Sequence, residues 1–142
     1  MPQLKRRNIT TLNAIIECLE GGYSAYIESL DGVVATGSTV DEIKRNLISA
    51  LDEYVETCKE LNCELPVELT GDFTIDFSMD VKSLLSLYDG IFTKSGLERL
   101  TGINQKQLWH YANGMSKPRR AQALKIETAL HRLGYELIAI HL

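Results

Sequence analysis

Between Leu97 and Arg119 the apolar residues stand at spacings that two short helices packed across a tight corner satisfy. Leu97, Leu100 and Thr101 fall on one face of a first helix, because residues three and four apart lie one above another. Gly102 can take the positive φ that a sharp turn demands, Ile103 plugs the corner, and Leu108 with Tyr111 makes the inward face of a second helix. Asn104 is a natural N-cap, which leaves Gln105, Lys106, Trp109, His110 and Asn113 pointing away from that core. The outward face is then a set of hydrogen-bond donors with one aromatic. Asn113-Gly114 ends the second helix, and Lys117, Arg119 and Arg120 follow at once.

A helix of donors with cations behind its C-terminus matches the chemistry of a DNA groove flanked by phosphates. Over residues 94 to about 133 the arrangement resembles the helix-turn-helix of the phage-repressor (XRE-type) class, which places its second helix in the major groove of double-stranded DNA. The resemblance implies that Gln105, Lys106 and His110 read base edges, while Lys94, Asn113, Lys117 and Arg119 meet phosphates. Asn104 joins this DNA-contacting set at the start of the reading helix. Trp109 either touches a thymine methyl or a sugar, or closes the edge of a small core. Glu98 departs from the class, which has a small residue, usually Ala, between the two helices. A carboxylate there alters the interhelical angle or tilts outward toward Lys106. His131 reads as a residue near a helix C-terminus, in the field of the dipole or in solvent.

Upstream of this stretch the period changes. Residues 12–18 and 23–28 are β-prone runs joined by Glu20-Gly21-Gly22, a hairpin signal, and after Asp31-Gly32 residues 33–36 can return as a third strand. Thr39, three residues before Glu42, has capping-box spacing and opens a helix through about residue 61, with Val40, Ile43, Leu47, Leu51, Tyr54, Val55, Cys58 and Leu61 on its apolar stripe. Residues 72–77 alternate like a fourth strand. From Val81 the pattern is helical, with helices expected over 81–88, 93–101, 104–113 and 119–133. Gly134 is read as the end of the last one, and residues 135–140 as a strand. The expected fold is α+β: an acidic β-β-β-α-β domain over 1–79 with a small antiparallel sheet, then an all-α domain over 80–142 with a C-terminal strand. That strand, pairing with its copy in a second chain, would make a dimer or higher homo-oligomer and bring two reading helices to one face.

Charge divides at the same place. Before Asp80 there are six basic and fourteen acidic residues, and from Asp80 onward nine basic and five acidic. An acidic part suits a basic protein and a basic part suits a polyanion, so two domains with two partners is the economical reading. The composition, 44% hydrophobic and 24% charged, is that of a soluble globular chain, without an apolar run of membrane-spanning length. The basic start through Lys5, Arg6 and Arg7 has no apolar stretch behind it, so a secretory leader is not expected and the cytoplasm is. Cys18, Cys58 and Cys63 form no CxxC pair and do not cluster with His110, His131 or His141, which argues against zinc. Metal-assisted hydrolysis needs converging carboxylates, and Glu28, Asp31 or Asp41 would bind catalytic magnesium only if they converged. Nothing in their spacing makes them converge, and no nucleophile set or phosphate-binding glycine loop is present. Neither enzymatic activity nor a cofactor is expected.

The run Gly22-Tyr-Ser-Ala-Tyr-Ile-Glu-Ser-Leu-Asp-Gly-Val-Val-Ala-Thr-Gly-Ser-Thr-Val-Asp-Glu-Ile43 resembles the N-terminal domain of HicB antitoxins. It has that family's Gly-Tyr strand, Asp-Gly turn and Gly-x-Thr entry into an acidic helix start. It lacks the usual proline and cysteine of the strand-to-strand turn, carrying Ser29-Leu30-Asp31-Gly32 and then Val33. The resemblance implies a truncated ribonuclease-H-like sheet in a cytoplasmic antitoxin that binds a small basic HicA-type ribonuclease toxin and represses its own promoter. Two other readings are a regulator whose N-terminal domain senses a small molecule, which needs a concave apolar pocket, and a nuclease with a DNA-targeting domain.

Overall fold

Strand β1 (Thr10–Leu19) alternates between buried Leu12, Ala14 and Ile16 and outward Thr11, Asn13 and Glu17, the period-two pattern of a sheet covered on one face. Its hairpin partner β2 (Gly22–Ile27) pairs antiparallel with Leu19 opposite Gly22, so Glu20 and Gly21 alone make the turn. β3 (Val34–Gly37) returns antiparallel to β2. The computed structural model describes residues 9–142, so the basic run Lys5-Arg6-Arg7 and the leader reading lie outside the described residues.

Helix α1 (Val40–Glu60) begins as its spacing predicts. The Thr39 hydroxyl accepts from the Glu42 amide at 3.1 Å, and the Glu42 carboxylate reaches back to accept from the Ser38 amide at 3.1 Å. Ile43, Leu47 and Leu51 are buried against the sheet, each worth about 1.5–3 kcal/mol of transfer free energy. Asn62, at φ 52, ends the helix, and the Cys63 amide donates to the Cys58 carbonyl at 2.8 Å.

After a 3-10 turn at Val67–Leu69, β4 (Phe73–Met79) pairs with β1 in parallel, giving the sheet order β3-β2-β1-β4. The sheet is therefore mixed, not antiparallel as expected. The reason is the connection: α1, 21 residues and about 30 Å long, carries the chain back to the starting end of β3, so the next strand runs parallel to it.

The chain divides into two compact units between Met79 and Asp80. In the second unit, the Asp80 carboxylate caps α2 (Val81–Leu87) by accepting from the Ser83 amide at 2.8 Å. Then come α3 (Lys94–Thr101), α4 (Gln105–Ala112) and α5 (Arg120–Ile138). Leu85, Leu97, Ile103, Leu108, Tyr111 and Ile126 form its core. The fold class is α+β, with one mixed four-stranded sheet and five α-helices among the described residues.

The expected C-terminal strand is not there. Residues 135–138 continue α5. Gly134 costs a helix interior about 1 kcal/mol relative to Ala, but Leu133, Tyr135, Glu136 and Leu137 are not β-branched and keep the helix going. A dimerisation strand is ruled out with it, and His131 sits a full two turns inside the helix, away from the C-terminal dipole.

Candidate nucleic-acid interface

The corner between α3 and α4 is built by three short-range devices. Gly102, at φ 75, ends α3, and its amide donates to the Glu98 carbonyl at 2.8 Å. The buried Thr101 hydroxyl donates to the Leu97 carbonyl at 2.7 Å and accepts from the Ile103 amide at 3.1 Å, which holds buried Ile103 in the angle. Asn104 then caps α4, its side-chain oxygen accepting from the Lys106 amide at 2.8 Å. Asn104→Ala is expected to destabilise the chain by about 1 kcal/mol, with Asn104→Asp largely neutral. Thermal melting of the two variants checks this, and an unchanged Ala variant would show that the Asn104 side chain does not stabilise the start of α4.

With Leu108 and Tyr111 buried, the exposed arc of α4 carries Gln105, Lys106 and Trp109, with half-buried His110 beside them. Trp109 is 49% exposed and meets the His110 ring edge-on at 5.7 Å between centroids. It lies at the rim, so its ring is available to a ligand. Asn113 stands at the end of the same helix, but its side-chain amide donates to the Trp109 carbonyl at 2.8 Å, which commits it to closing the helix. Lys117 and Arg119 are exposed in the loop that follows, with Arg120 opening α5. Gln107 pins that loop by donating to the Ser116 hydroxyl at 3.0 Å.

Lys94 is placed differently from the rest. Its ammonium lies 3.3 Å from the Asp89 carboxylate and its side chain is only 20% exposed, so a phosphate would have to compete with an existing ion pair. Glu98 is half-buried on α3, and among the described residues no ion pair joins it to Lys106.

A lysine that spacing arguments passed over stands near this loop. Gly114 has φ 70, and a Cβ built there would come 3.3 Å from Lys82 Nζ, so the α2 lysine reaches over the turn that closes α4. Lys82 and Gly114 are 32 residues apart, and no local pattern could have paired them.

In the first unit α1 covers one sheet face, and among that unit's described residues no helix covers the other. Glu28 extends the hairpin, its amide donating to the Asn13 carbonyl at 3.0 Å, while Asp31 lies in the following turn and Asp41 in the first turn of α1. Among the described residues no group of three His, Cys, Asp or Glu side chains is placed to hold a metal ion. No helix among them is long and apolar enough to cross a membrane.

The sequence of residues 11–66 matches the UPF0150-like family. A UPF0150 protein of Synechocystis sp. is 38% identical over 52 residues, covering 37% of this chain and 71% of that protein. The chain belongs to the UPF0150-like family. No solved structure matches it.

The UPF0150-like region takes in nearly all of β1, the hairpin, β3 and α1, and stops at Pro66 before β4. The α3-α4 corner and its cationic loop lie wholly outside it.

Proposed function

We propose that this UPF0150-like protein is a HicB-type antitoxin, a non-enzymatic cytoplasmic repressor that neutralises a small basic HicA-type ribonuclease toxin and binds its own operator. The observation that carries the DNA half is the exposed arc of α4, with Gln105, Lys106 and His110, set on a buried corner and followed at once by Lys117, Arg119 and Arg120. On this reading α3 and α4 are a helix-turn-helix and α4 lies in the major groove of double-stranded DNA. The UPF0150-like unit, with its acidic balance, takes the toxin; the family match fits a toxin-antitoxin context. A depression at its hairpin end, about 350 Å³, is lined by Leu19, Tyr23, Thr36, Ser38, Glu42 and Asn46 among others, and a second of about 370 Å³ by Val34, Ala35, Asn46, Ser49, Ala50 and Glu53 among others, mixed linings rather than the concave apolar pocket a small-molecule sensor needs. Two copies pair so that two half-sites about 34–36 Å apart are read together. With no strand at the chain end, the exposed apolar residues of the last turns of α5, Tyr135 and Ile138, are the surface for that pairing.

A gel-shift titration of the full chain on the DNA upstream of its own gene tests the reading. The double variant Lys106→Ala/His110→Ala should lose about 1–3 kcal/mol of discrimination per lost base contact on that DNA and far less on random duplex. Equal loss on both would move the two side chains to phosphates. No preference of the unaltered chain for its own upstream DNA would end the repressor reading.

A further inference from the structure

We propose that the open face of the four-stranded sheet is the surface on which the UPF0150-like unit takes its protein partner, and that the matching surface is an apolar ridge flanked by lysine and arginine. The inference deepens the antitoxin reading and rests on it for the existence of a protein partner.

Register builds the surface. Ile15 stands opposite Tyr26 on one side and Ser78 on the other, and Tyr26 stands opposite Val34, so one row runs across all four strands as Val34, Tyr26, Ile15 and Ser78. Alternation puts this row on the face away from α1, since its neighbours Ala14, Ile16, Ala25 and Ile27 are buried under the helix. At about 4.8 Å between strands, its apolar and aromatic part spans about 10 Å. Val34 is 57% exposed, and Ile15 and Tyr26 are half-buried.

Carboxylates lie on both sides of that stripe. Glu17 is two residues along β1 from Ile15, opposite Ser24, and on the other side Asp76 stands opposite Asn13, where Glu28 also bonds. The Tyr26 hydroxyl donates to Glu17 at 3.5 Å, and the phenol is held above its ordinary range by partial desolvation and then by Glu17 and Glu28. No lysine or arginine occurs in β1, β2, β3 or β4. The outer face of α1 is different: Asp52, Glu53, Glu56 and Glu60 share it with Arg45 and Lys59, and Lys59 sits 3.8 Å from Glu56. Negative charge on the helix is thus partly neutralised locally, while among the described residues no lysine or arginine pairs with the carboxylates beside the stripe, which border exposed apolar surface. Charge complementarity therefore selects a cationic partner for the sheet face, and the stripe supplies the contact area that salt does not screen.

The test titrates the full-length chain by calorimetry with the purified product of the short basic reading frame beside its gene. Glu17→Lys/Asp76→Lys should weaken binding at least about tenfold because like charges then face one another, and Glu53→Lys/Glu60→Lys on α1 should change it less than about twofold. Unchanged melting temperature and operator binding certify each variant. A second measurement needs no substitution: in the unaltered complex, cross-saturation from the partner should attenuate the methyl signals of Ile15 and Val34 and spare exposed Ile48 on α1. Binding lost in the α1 variant and kept in the sheet variant, or attenuation at Ile48 alone, would overturn the assignment of the face and leave the antitoxin reading standing. No binding by the unaltered chain, or no such reading frame, would overturn that reading itself.

Discussion

Leu108→Ala is expected to destabilise the second unit by about 2–5 kcal/mol, as deletion of a fully buried leucine side chain does where neighbours cannot collapse into the space. Leu108 is fully buried, and it is the residue by which α4 is seated among Leu85, Leu97, Ile103 and Ile126. A core of this size rarely supplies more than about 3–5 kcal/mol, so the loss is comparable with everything that holds α4 in place. Leu108→Met keeps the volume and should cost less than about 1.5 kcal/mol. Urea denaturation followed by the fluorescence of Trp109, the one tryptophan of the chain, reports this unit directly. On the proposed reading, operator binding by the Ala variant falls with the folded fraction. A cost below about 1 kcal/mol would mean that α4 is held by something other than this core.

The features legible in the sequence were those whose cause is local. The hairpin through Glu20-Gly21-Gly22, the alternation through Leu12, Ala14 and Ile16, and the Thr39 cap with Glu42 three residues on each depend on neighbours within about four positions. The direction of β4 depends instead on where a long crossover delivers the chain, and alternation is the same in parallel and antiparallel strands. The end of α5 is not legible at Gly134, because a single glycine is a modest penalty that good helix formers on either side offset. The candidate interface shows the same division. Asn104 and Gly102 could be placed from spacing, whereas the commitment of Asn113 to the Trp109 carbonyl and of Lys94 to Asp89 needed side-chain geometry. Lys82 over Gly114 needed the packing of α2 against α4, which no window of sequence contains.

Neutralising the cations behind α4 should have the second large effect, and it separates affinity from readout. Lys117, Arg119 and Arg120 are exposed in and just after the loop that closes the helix, where an inserted α4 would leave them beside the two phosphate walls of the groove. Each phosphate neutralised releases counterions, so the slope of log K against log salt is expected to be shallower by about 0.9 for each contact removed, or about 2.7 for all three replaced by Gln. Lys82→Gln should take away a similar further increment if its ammonium, held over Gly114, also meets a phosphate. On the proposed reading phosphate contacts carry no sequence information, so the triple variant should weaken on operator and random duplex by the same factor and retain the preference assigned to Lys106 and His110. Fluorescence anisotropy titrations at four salt concentrations on both duplexes give the slopes. An unchanged slope would place the loop away from DNA, and with it the proposed docking of α4. A shallower slope with a collapsed preference would show that the loop, through Arg119 or Arg120, reaches base edges itself.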